Sequence, residues 1–157
     1  MITLKKLNLK NLKKFEKFTL INPSMLCEMS LGVIFMWDKH YDFYYAVFDD
    51  TLILASYRKG VYRFFPPVGK NVEGAYSEIE NFCVQKCQRL IFIGVDEKAK
   101  EFLSTKYQIE SVVYDRDFSD YVYSYDEIKT FIGKKFSGQR NHINAFKKII
   151  YQKILIF

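Results

Sequence analysis

Two runs of β-branched and aromatic residues near the middle of the chain constrain its fold most strongly. Phe43–Phe48 and Thr51–Tyr57 both have the composition of β-strands. Only Asp49 and Asp50 separate them, and so short a connection between such runs is typical of a β-hairpin. The sequence therefore predicts an antiparallel strand pair.

A third strand is predicted directly after this hairpin. Gly60–Phe65 follows a turn at Arg58–Gly60 and ends at Pro66 and Pro67. Proline has no N–H to donate to a sheet ladder, so the strand cannot continue through it. The predicted sheet thus opens with antiparallel strands only.

Two helices are predicted before the hairpin. In Leu9–Leu20, apolar residues recur every three to four positions with lysines between them, which indicates an amphipathic helix. Asn8 is placed to cap it, and Asn22 and Pro23 end it, because the residue before a proline is pushed out of the helical region. The densely apolar stretch Ser24–Trp37 predicts a second, largely buried helix or helical turn.

The second half of the chain alternates between helix and strand patterns. The predicted segments are the helix Val72–Cys87, the strand Arg89–Val95, the helix Glu97–Tyr107, the strand Ile109–Asp115, an aromatic stretch Tyr121–Tyr125 and the helices Asp126–Phe131 and Gly138–Tyr151. Such alternation favours parallel strands covered by helices, and Asp96 is placed to cap the helix after it. The fold class is therefore predicted to be α/β with an antiparallel start.

Length and composition point to one domain without a membrane span. The 157 residues contain no repeat and no linker rich in Gly, Pro or Ser, so residues 1–157 are expected to form one domain. The longest apolar runs fall far short of the roughly 20 residues that a transmembrane helix needs, and a cytoplasmic location is expected. Cys27, Cys83 and Cys87 lack matching Cys or His partners, which predicts reduced side chains and no metal site.

The net charge of +6 is concentrated at the two ends of the chain. Residues 1–20 carry six lysines and one acid, and residues 131–157 carry five lysines, one arginine and no acid. Clustered cations attract nucleic acid, phosphorylated ligands or lipid headgroups. A solvated helix surface explains the pattern equally well, so charge alone leaves both interpretations open.

The basic segment between two predicted helices near the C-terminus is the candidate binding site. Gly133 and Gly138 bracket its lysines, and free N–H groups at a helix N-terminus together with the Arg140 guanidinium could hold a phosphate or carboxylate. The candidate anion-binding or ligand-binding residues are Lys134, Lys135, Gly138, Arg140 and Asn141.

A purely structural interpretation of this segment is equally concrete. The glycines then end helices, the lysines are solvated, and Arg140 pairs with a carboxylate such as Asp120 or Asp126. No second group stands at a readable spacing from His142, so no catalytic residue is assigned. The alternating tyrosines of Tyr121–Tyr125 share one face of an extended segment. They are expected to pack against the core, and stacking on a ligand is the alternative.

The order of motifs in this region resembles that of a known family. An Asp120-Tyr-x-Tyr segment, a short helix, Gly133-Lys-Lys and then Arg140-Asn-His-Ile-Asn-x-Phe resemble bacterial proteins of unknown function related to the C-terminal domain of phosphatidylglycerol lysyltransferases. Upstream, Ser30 with Trp37 and the Pro66-Pro67-Val-Gly turn agree with it. Members of that family are longer and look like tandem acetyltransferase-type (GNAT) folds, of which this chain resembles the first half.

The resemblance implies a fold and a reaction class. The implied fold is a GNAT-like mixed sheet with antiparallel N-terminal strands flanked by helices, and residues 1–157 would be the N-terminal half of a tandem protein. The implied chemistry is acyl or aminoacyl transfer with aminoacyl-tRNA or acyl-CoA as donor substrate and no resident cofactor. Partners would be tRNA or a phosphorylated small molecule.

The resemblance also implies an incomplete site in this chain. The active cleft of such proteins lies between and within the two halves, so activity would need a second domain, a homodimer or a separate second half. The usual acetyltransferase pyrophosphate-binding turn, Arg/Gln-x-x-Gly-x-Gly/Ala, is absent from the sequence. A noncatalytic anion-binding or assembly module and a truncated gene product are the alternatives.

Overall fold

The computed structural model describes residues 1–21, 26–116 and 119–154, which divide by their contacts into unit 1, Met1–Tyr114, and unit 2, Asp115–Phe157. Unit 1 contains β1 (Lys5–Lys6), α1 (Leu9–Leu12), α2 (Glu16–Ile21), a 3-10 turn (Cys27–Met29), α3 (Leu31–Tyr41), β2 (Phe43–Phe48), β3 (Thr51–Arg58), β4 (Val61–Phe64), β5 (Val68–Gly69), α4 (Val72–Gln85) and α5 (Glu97–Lys106). Unit 2 contains α6 (Tyr125–Thr130), a 3-10 turn (Lys134–Phe136) and α7 (Ser137–Ile154).

The predicted hairpin is confirmed and forms the centre of the sheet. Strands β1, β2, β3 and β4 pair in that order, β5 pairs with β3, and every pairing is antiparallel. Phe48 lies opposite Thr51, so Asp49 and Asp50 form the whole turn, with φ of 43° and 51°. Two successive positive φ values match a type I′ turn, whose twist suits a hairpin, and aspartate tolerates that conformation.

The parallel pairing of β4 is cut short for a reason visible in the sequence. Phe65 donates its N–H to the Leu54 carbonyl oxygen (3.0 Å), and Pro66 has no N–H with which to extend a parallel ladder. The predicted strand Arg89–Val95 is therefore wrong: the segment makes a single parallel bridge to the sheet, between Phe64 and Phe92.

The prediction of a further strand at Ile109–Asp115 is also wrong. The segment has no strand structure, and Val112 and Val113 are 65% and 84% exposed. A parallel strand needs an ordered neighbour with free main-chain groups, and the preceding segment supplies only one bridge. The sheet in the described residues is accordingly antiparallel, not the helix-covered parallel sheet that the alternation suggested.

The first predicted helix is divided into α1 and α2. Asn8 caps α1 as predicted, since its side chain accepts a hydrogen bond from the Asn11 N–H (3.1 Å). Lys14 then donates its N–H to the Asn11 carbonyl oxygen, three residues back, and this tighter bond ends the α-helical ladder before Glu16. The predicted stop at Asn22 and Pro23 lies outside the described residues.

The second predicted helix is shifted towards the C-terminus and less buried than expected. Ser30 caps α3 by accepting a 3.4 Å hydrogen bond from the Val33 N–H. The helix runs past Trp37 to Tyr41. The predicted start at Ser24 lies outside the described residues. Ile34 is the one buried residue of this helix, while Met36 is 70% exposed. Only one face of a helix can contact a sheet, so a dense apolar stretch need not be buried.

Both faces of the sheet are covered by helices. On β3, Leu52 and Leu54 pack in a core cluster with Ile34 of α3. The alternate residue Ile53 belongs to a second cluster with Ile79 of α4. Because successive strand residues point to opposite faces, these clusters define an antiparallel sheet flanked by helices in a mixed α/β arrangement.

The helices α4 and α5 confirm the predicted positions. Asn71 caps α4 by accepting from the Gly74 N–H (2.9 Å), and Cys87, with φ of 49°, follows its end. Asp96 caps α5 as predicted, accepting from the Ala99 N–H (2.8 Å).

Unit 2 consists of helical segments without a buried core among its described side chains. The two predicted helices are present as α6 and α7, but Phe131, with φ of 48°, ends α6 before Gly133 is reached. The prediction that the tyrosines pack against the core is wrong: Tyr121, Tyr123 and Tyr125 are 88%, 59% and 73% exposed. Among the described helices of both units, none is long and apolar enough to cross a bilayer.

Candidate functional site

The predicted anion-binding residues come together at the connection between α6 and α7. Phe131 closes α6 by donating its N–H to the Glu127 carbonyl oxygen (2.8 Å). Gly133 follows with φ of 106°, a conformation that L side chains rarely adopt, and the 3-10 turn Lys134–Phe136 leads directly into α7. The loop therefore places its cations within one helical turn of the N-terminus of α7.

Arg140 is engaged with the main chain of this loop. Its guanidinium donates to the carbonyl oxygen of Gly133 at 2.7 Å and to that of Phe131. These carbonyls follow the last turn of α6, where helical acceptors are left open. Arg140 thus caps the end of one helix from the first turns of the next.

Lys135 is also paired, whereas the other candidates face solvent. The Lys135 ammonium lies 2.6 Å from the Glu127 carboxylate and 4.9 Å from the centre of the Phe136 ring. Both partners of the ion pair remain substantially exposed, so the pair contributes little to stability. Lys134, Gly138 and Asn141 are exposed.

The geometry leaves a smaller anion site than the sequence suggests. Arg140 offers an anion only the guanidinium edges that its carbonyl partners leave open, and Glu127 offsets the charge of Lys135. Lys134 is an exposed cation in the 3-10 turn of the loop. Anion binding by Lys134, Lys135, Gly138, Arg140 and Asn141 stays a prediction, in which Lys134 is the primary contact.

The three cysteines differ in their exposure. No cluster of three or more His, Cys, Asp or Glu side chains within the described part of the chain could hold an ion. Cys27 and Cys87 are exposed, and burial raises the pKa of the Cys83 thiol. A raised pKa keeps a thiol protonated and unreactive at neutral pH.

Unit 1 carries a groove that sequence reasoning missed. Its volume is about 490 Å³, and it lies between the β3–β4 turn and the turn that follows α4. The side-chain amide of Gln88 joins the turn after α4 to β4, accepting from the Tyr62 N–H (3.2 Å) and donating to the Tyr62 carbonyl oxygen (3.0 Å). Nothing local in the sequence signals a side chain that pairs with a strand 26 residues earlier.

The comparisons with known proteins agree with the C-terminal motif. The sequence profile of the family described as "Phosphatidylglycerol lysyltransferase, C-terminal" matches residues 22–153. The chain belongs to this family. The resemblance on which the sequence analysis relied is therefore confirmed, and the loop between α6 and α7 lies inside the matched range.

A solved structure shares the fold of this family member. It is a conserved protein of unknown function from Bacteroides thetaiotaomicron, 25% identical, with a TM-score of 0.83. The match covers 95% of this chain and 51% of that chain, so this chain spans about half the length of the relative. No curated protein matches the sequence.

Proposed function

We propose that this chain supplies one half of an acyl- or aminoacyl-transferase related to the phosphatidylglycerol lysyltransferases. The observation that carries the proposal is the family match over residues 22–153. The half-length match to the Bacteroides thetaiotaomicron structure supports the view that a second half completes the active cleft.

The sheet topology supports a GNAT-like fold for this half. Strands β2 to β4 are antiparallel, α4 then crosses over, and the chain returns to form a parallel bridge at Phe64 and Phe92. The proposed mixed sheet requires this order: antiparallel strands, then a helical crossover, then a parallel neighbour. Pro66 limits that parallel pairing to one bridge in this chain.

The charge distribution supports a phosphate-bearing donor. Aminoacyl-tRNA and acyl-CoA both carry phosphates, and residues 131–157 carry six basic and no acidic side chains. Contacts to tRNA phosphates release counterions, so affinity for tRNA should fall steeply with salt. In this proposal Lys134 contacts a phosphate, and Arg140 mainly fixes the loop that presents it.

Filter binding tests the proposal with lysyl-tRNA, uncharged tRNA, acyl-CoA, free CoA and heparin. A transferase half binds an acylated donor more tightly than the same donor without its acyl group, because the acyl-binding wall adds contacts. Equal affinity for every polyanion, heparin included, would instead favour the noncatalytic anion-binding module. Absence of saturable binding to both acylated donors would overturn the proposed transferase role.

A variant pair locates the donor phosphate. Lys134→Ala should weaken donor binding, whereas Lys98→Ala, which removes an exposed lysine from α5, should not. Equal binding by both variants in low salt, where charge effects are largest, would refute the role of Lys134. Analytical ultracentrifugation measures the oligomeric state: a stable dimer supports pairing of two copies into one cleft, and a clean monomer would count against it.

A further inference from the structure

We propose that the groove in unit 1 binds a nucleotide, with the base against Tyr57 and Tyr62 and the phosphate held by Lys86 and Arg89. All four residues line the groove. The proposal concerns a site separate in sequence from the α6–α7 loop, and it stands whether or not the chain is half of a transferase.

The walls of the groove are held in place before any ligand arrives. The Gln88 amide makes two hydrogen bonds to the main chain of Tyr62, as a neighbouring strand would. On the other side, the Gln88 N–H donates to the Cys83 carbonyl oxygen (3.0 Å) and Lys86 donates its N–H to the Phe82 carbonyl oxygen (3.0 Å), which closes the end of α4. A volume of about 490 Å³ between such fixed walls is within the range of small-ligand sites.

The aromatic side of the groove suits a planar ligand. The rings of Tyr57 and Tyr62 lie 4.6 Å apart at an angle of 43°, and edge contacts with Phe82 at 5.3 Å and Tyr44 at 5.4 Å hold the Tyr62 ring. Bases stack readily on tyrosine rings because both present flat polarizable faces. Burial raises the pKa of Tyr62, with smaller contributions from the neighbouring tyrosines and Asp42, so its hydroxyl is a hydrogen-bond donor at neutral pH.

The rim of the groove suits an anion. Lys86 and Arg89 are exposed, and no acidic side chain is among the lining residues. Arg58 ends β3 beside the groove, and Lys59 follows it on the β3–β4 turn. Arg89 approaches the Glu110 carboxylate only to 3.8 Å, and these side chains are 81% and 79% exposed. A contact this long and solvated is readily exchanged for a phosphate that can accept two guanidinium hydrogen bonds.

Nucleotides combine the two properties that the groove recognises. A plain phosphate would leave the tyrosines unused, and an uncharged aromatic ligand would leave the cations unused. The same chemistry occurs in free nucleotides and at the exposed end of an RNA, so the test must include both sources.

Cys87 provides a reporter within the groove. It is exposed and lines the groove, Cys27 is exposed outside it, and Cys83 is buried. In the full chain carrying Cys27→Ser, ADP at about ten times its Kd should slow alkylation of Cys87 about tenfold, because only the free protein reacts. The matched control, Cys87→Ser, reports Cys27, whose alkylation rate should not change.

Four ligands and two variant pairs decide the proposal. Protection of Cys87 by ADP supports a free nucleotide, and stronger protection by uncharged tRNA supports an RNA end. If inorganic phosphate protects Cys87 as well as ADP does and adenosine does not protect it, the proposed recognition of the base is wrong. If neither ADP nor tRNA protects Cys87, the proposed site is wrong. The double variant Lys86→Ala with Arg89→Ala should weaken ADP binding at least about tenfold, and the control double variant Lys39→Ala with Lys98→Ala should not. Equal weakening of ADP binding in both double variants would also overturn the proposed site.

Discussion

The Arg140 guanidinium donates a 2.7 Å hydrogen bond to the carbonyl oxygen of Gly133 and thereby closes the connection between α6 and α7. A second hydrogen bond from the same group reaches the Phe131 carbonyl oxygen. The residue that the sequence singles out as an anion ligand is thus the residue that holds its own loop. An Arg140 variant could lose anion affinity because the guanidinium no longer contacts the anion or because the loop is no longer held in place. A Lys134 variant tests anion contact without removing the hydrogen bonds that hold the loop.

Replacing Arg140 by alanine should loosen this connection. The change removes charged donors from two carbonyl oxygens, which we expect to cost about 1 kcal/mol of local stability, or about a fivefold increase in opening. Hydrogen exchange of the amides in Phe131–Phe136 measures it, and Lys134→Ala is the control that leaves these bonds intact. Unchanged exchange in the Arg140 variant would mean that other contacts hold the loop.

Gly69 should not accept a side chain. A Cβ there would lie 2.3 Å from the Asp50 carbonyl oxygen and 2.4 Å from the Thr51 Cα, so the backbone of β3 would have to move. We expect Gly69→Ala to reduce the free energy of unfolding by about 2–3 kcal/mol in urea titrations. Gly32→Ala is the control, because an added Cβ would meet no atom within 4 Å beyond the neighbouring residues and the backbone of its own helix. Alanine also favours α3 by about 0.5 kcal/mol. A Gly69 variant as stable as the control would contradict this packing.

The paired hydrogen bonds of Gln88 predict a specific response to charge. Gln88→Glu keeps an acceptor for the Tyr62 N–H but faces the Tyr62 carbonyl oxygen with a second acceptor. The expected cost is about 1–2 kcal/mol of unfolding free energy. Gln85→Glu places the same charge near the end of α4 on an exposed side chain, and it should cost clearly less. Equal losses of unfolding free energy in the two variants would mean that the added charge near the end of α4 destabilises the protein, and not the lost hydrogen bond to Tyr62.

Asp50 gives the hairpin turn a pH-dependent contribution to stability. Hydrogen bonds from Lys70 and then Lys17 lower the pKa of Asp50 from its ordinary 3.8. A lowered folded-state pKa stabilises the protein above the ordinary value, and this stabilisation is lost as the pH falls through the folded-state pKa. Asp50→Asn tolerates the turn conformation but lacks the charge.

Thermal unfolding at several pH values checks this expectation. The Tm of the wild-type protein should exceed that of Asp50→Asn at pH 7, and the gap should close towards pH 3. High salt should also narrow it, because the pairs are exposed. Glu101→Gln, which removes an exposed carboxylate from α5, is the control for general acid effects. A gap that is constant with pH would show that the carboxylate does not stabilise the turn through its charge.

The features predicted correctly from the sequence depend on neighbouring residues. Asn8 and Asp96 cap helices that begin directly after them, and Asp49 with Asp50 form a turn whose conformation those residues tolerate. The family motif, too, is local, which is why the relationship to the lysyltransferases could be identified at once.

The features that were missed depend on pairings distant in sequence. The apolar segment Arg89–Val95 has the composition of a strand, but Pro66 on its neighbour removes the N–H that would continue the ladder. Gln88 replaces part of that pairing with its side chain. The carbonyl partners of Arg140 likewise depend on how Phe131 and Gly133 turn the chain.

The affinity ratio between acylated and deacylated donors tests the proposed transferase role most directly. Filter binding compares lysyl-tRNA with uncharged tRNA, and acyl-CoA with CoA, at fixed salt. The account predicts at least about tenfold tighter binding of one acylated donor, equivalent to about 1.4 kcal/mol from contacts with the acyl group. Ratios of one in both pairs, with ordinary salt-dependent binding of polyanions, would contradict it.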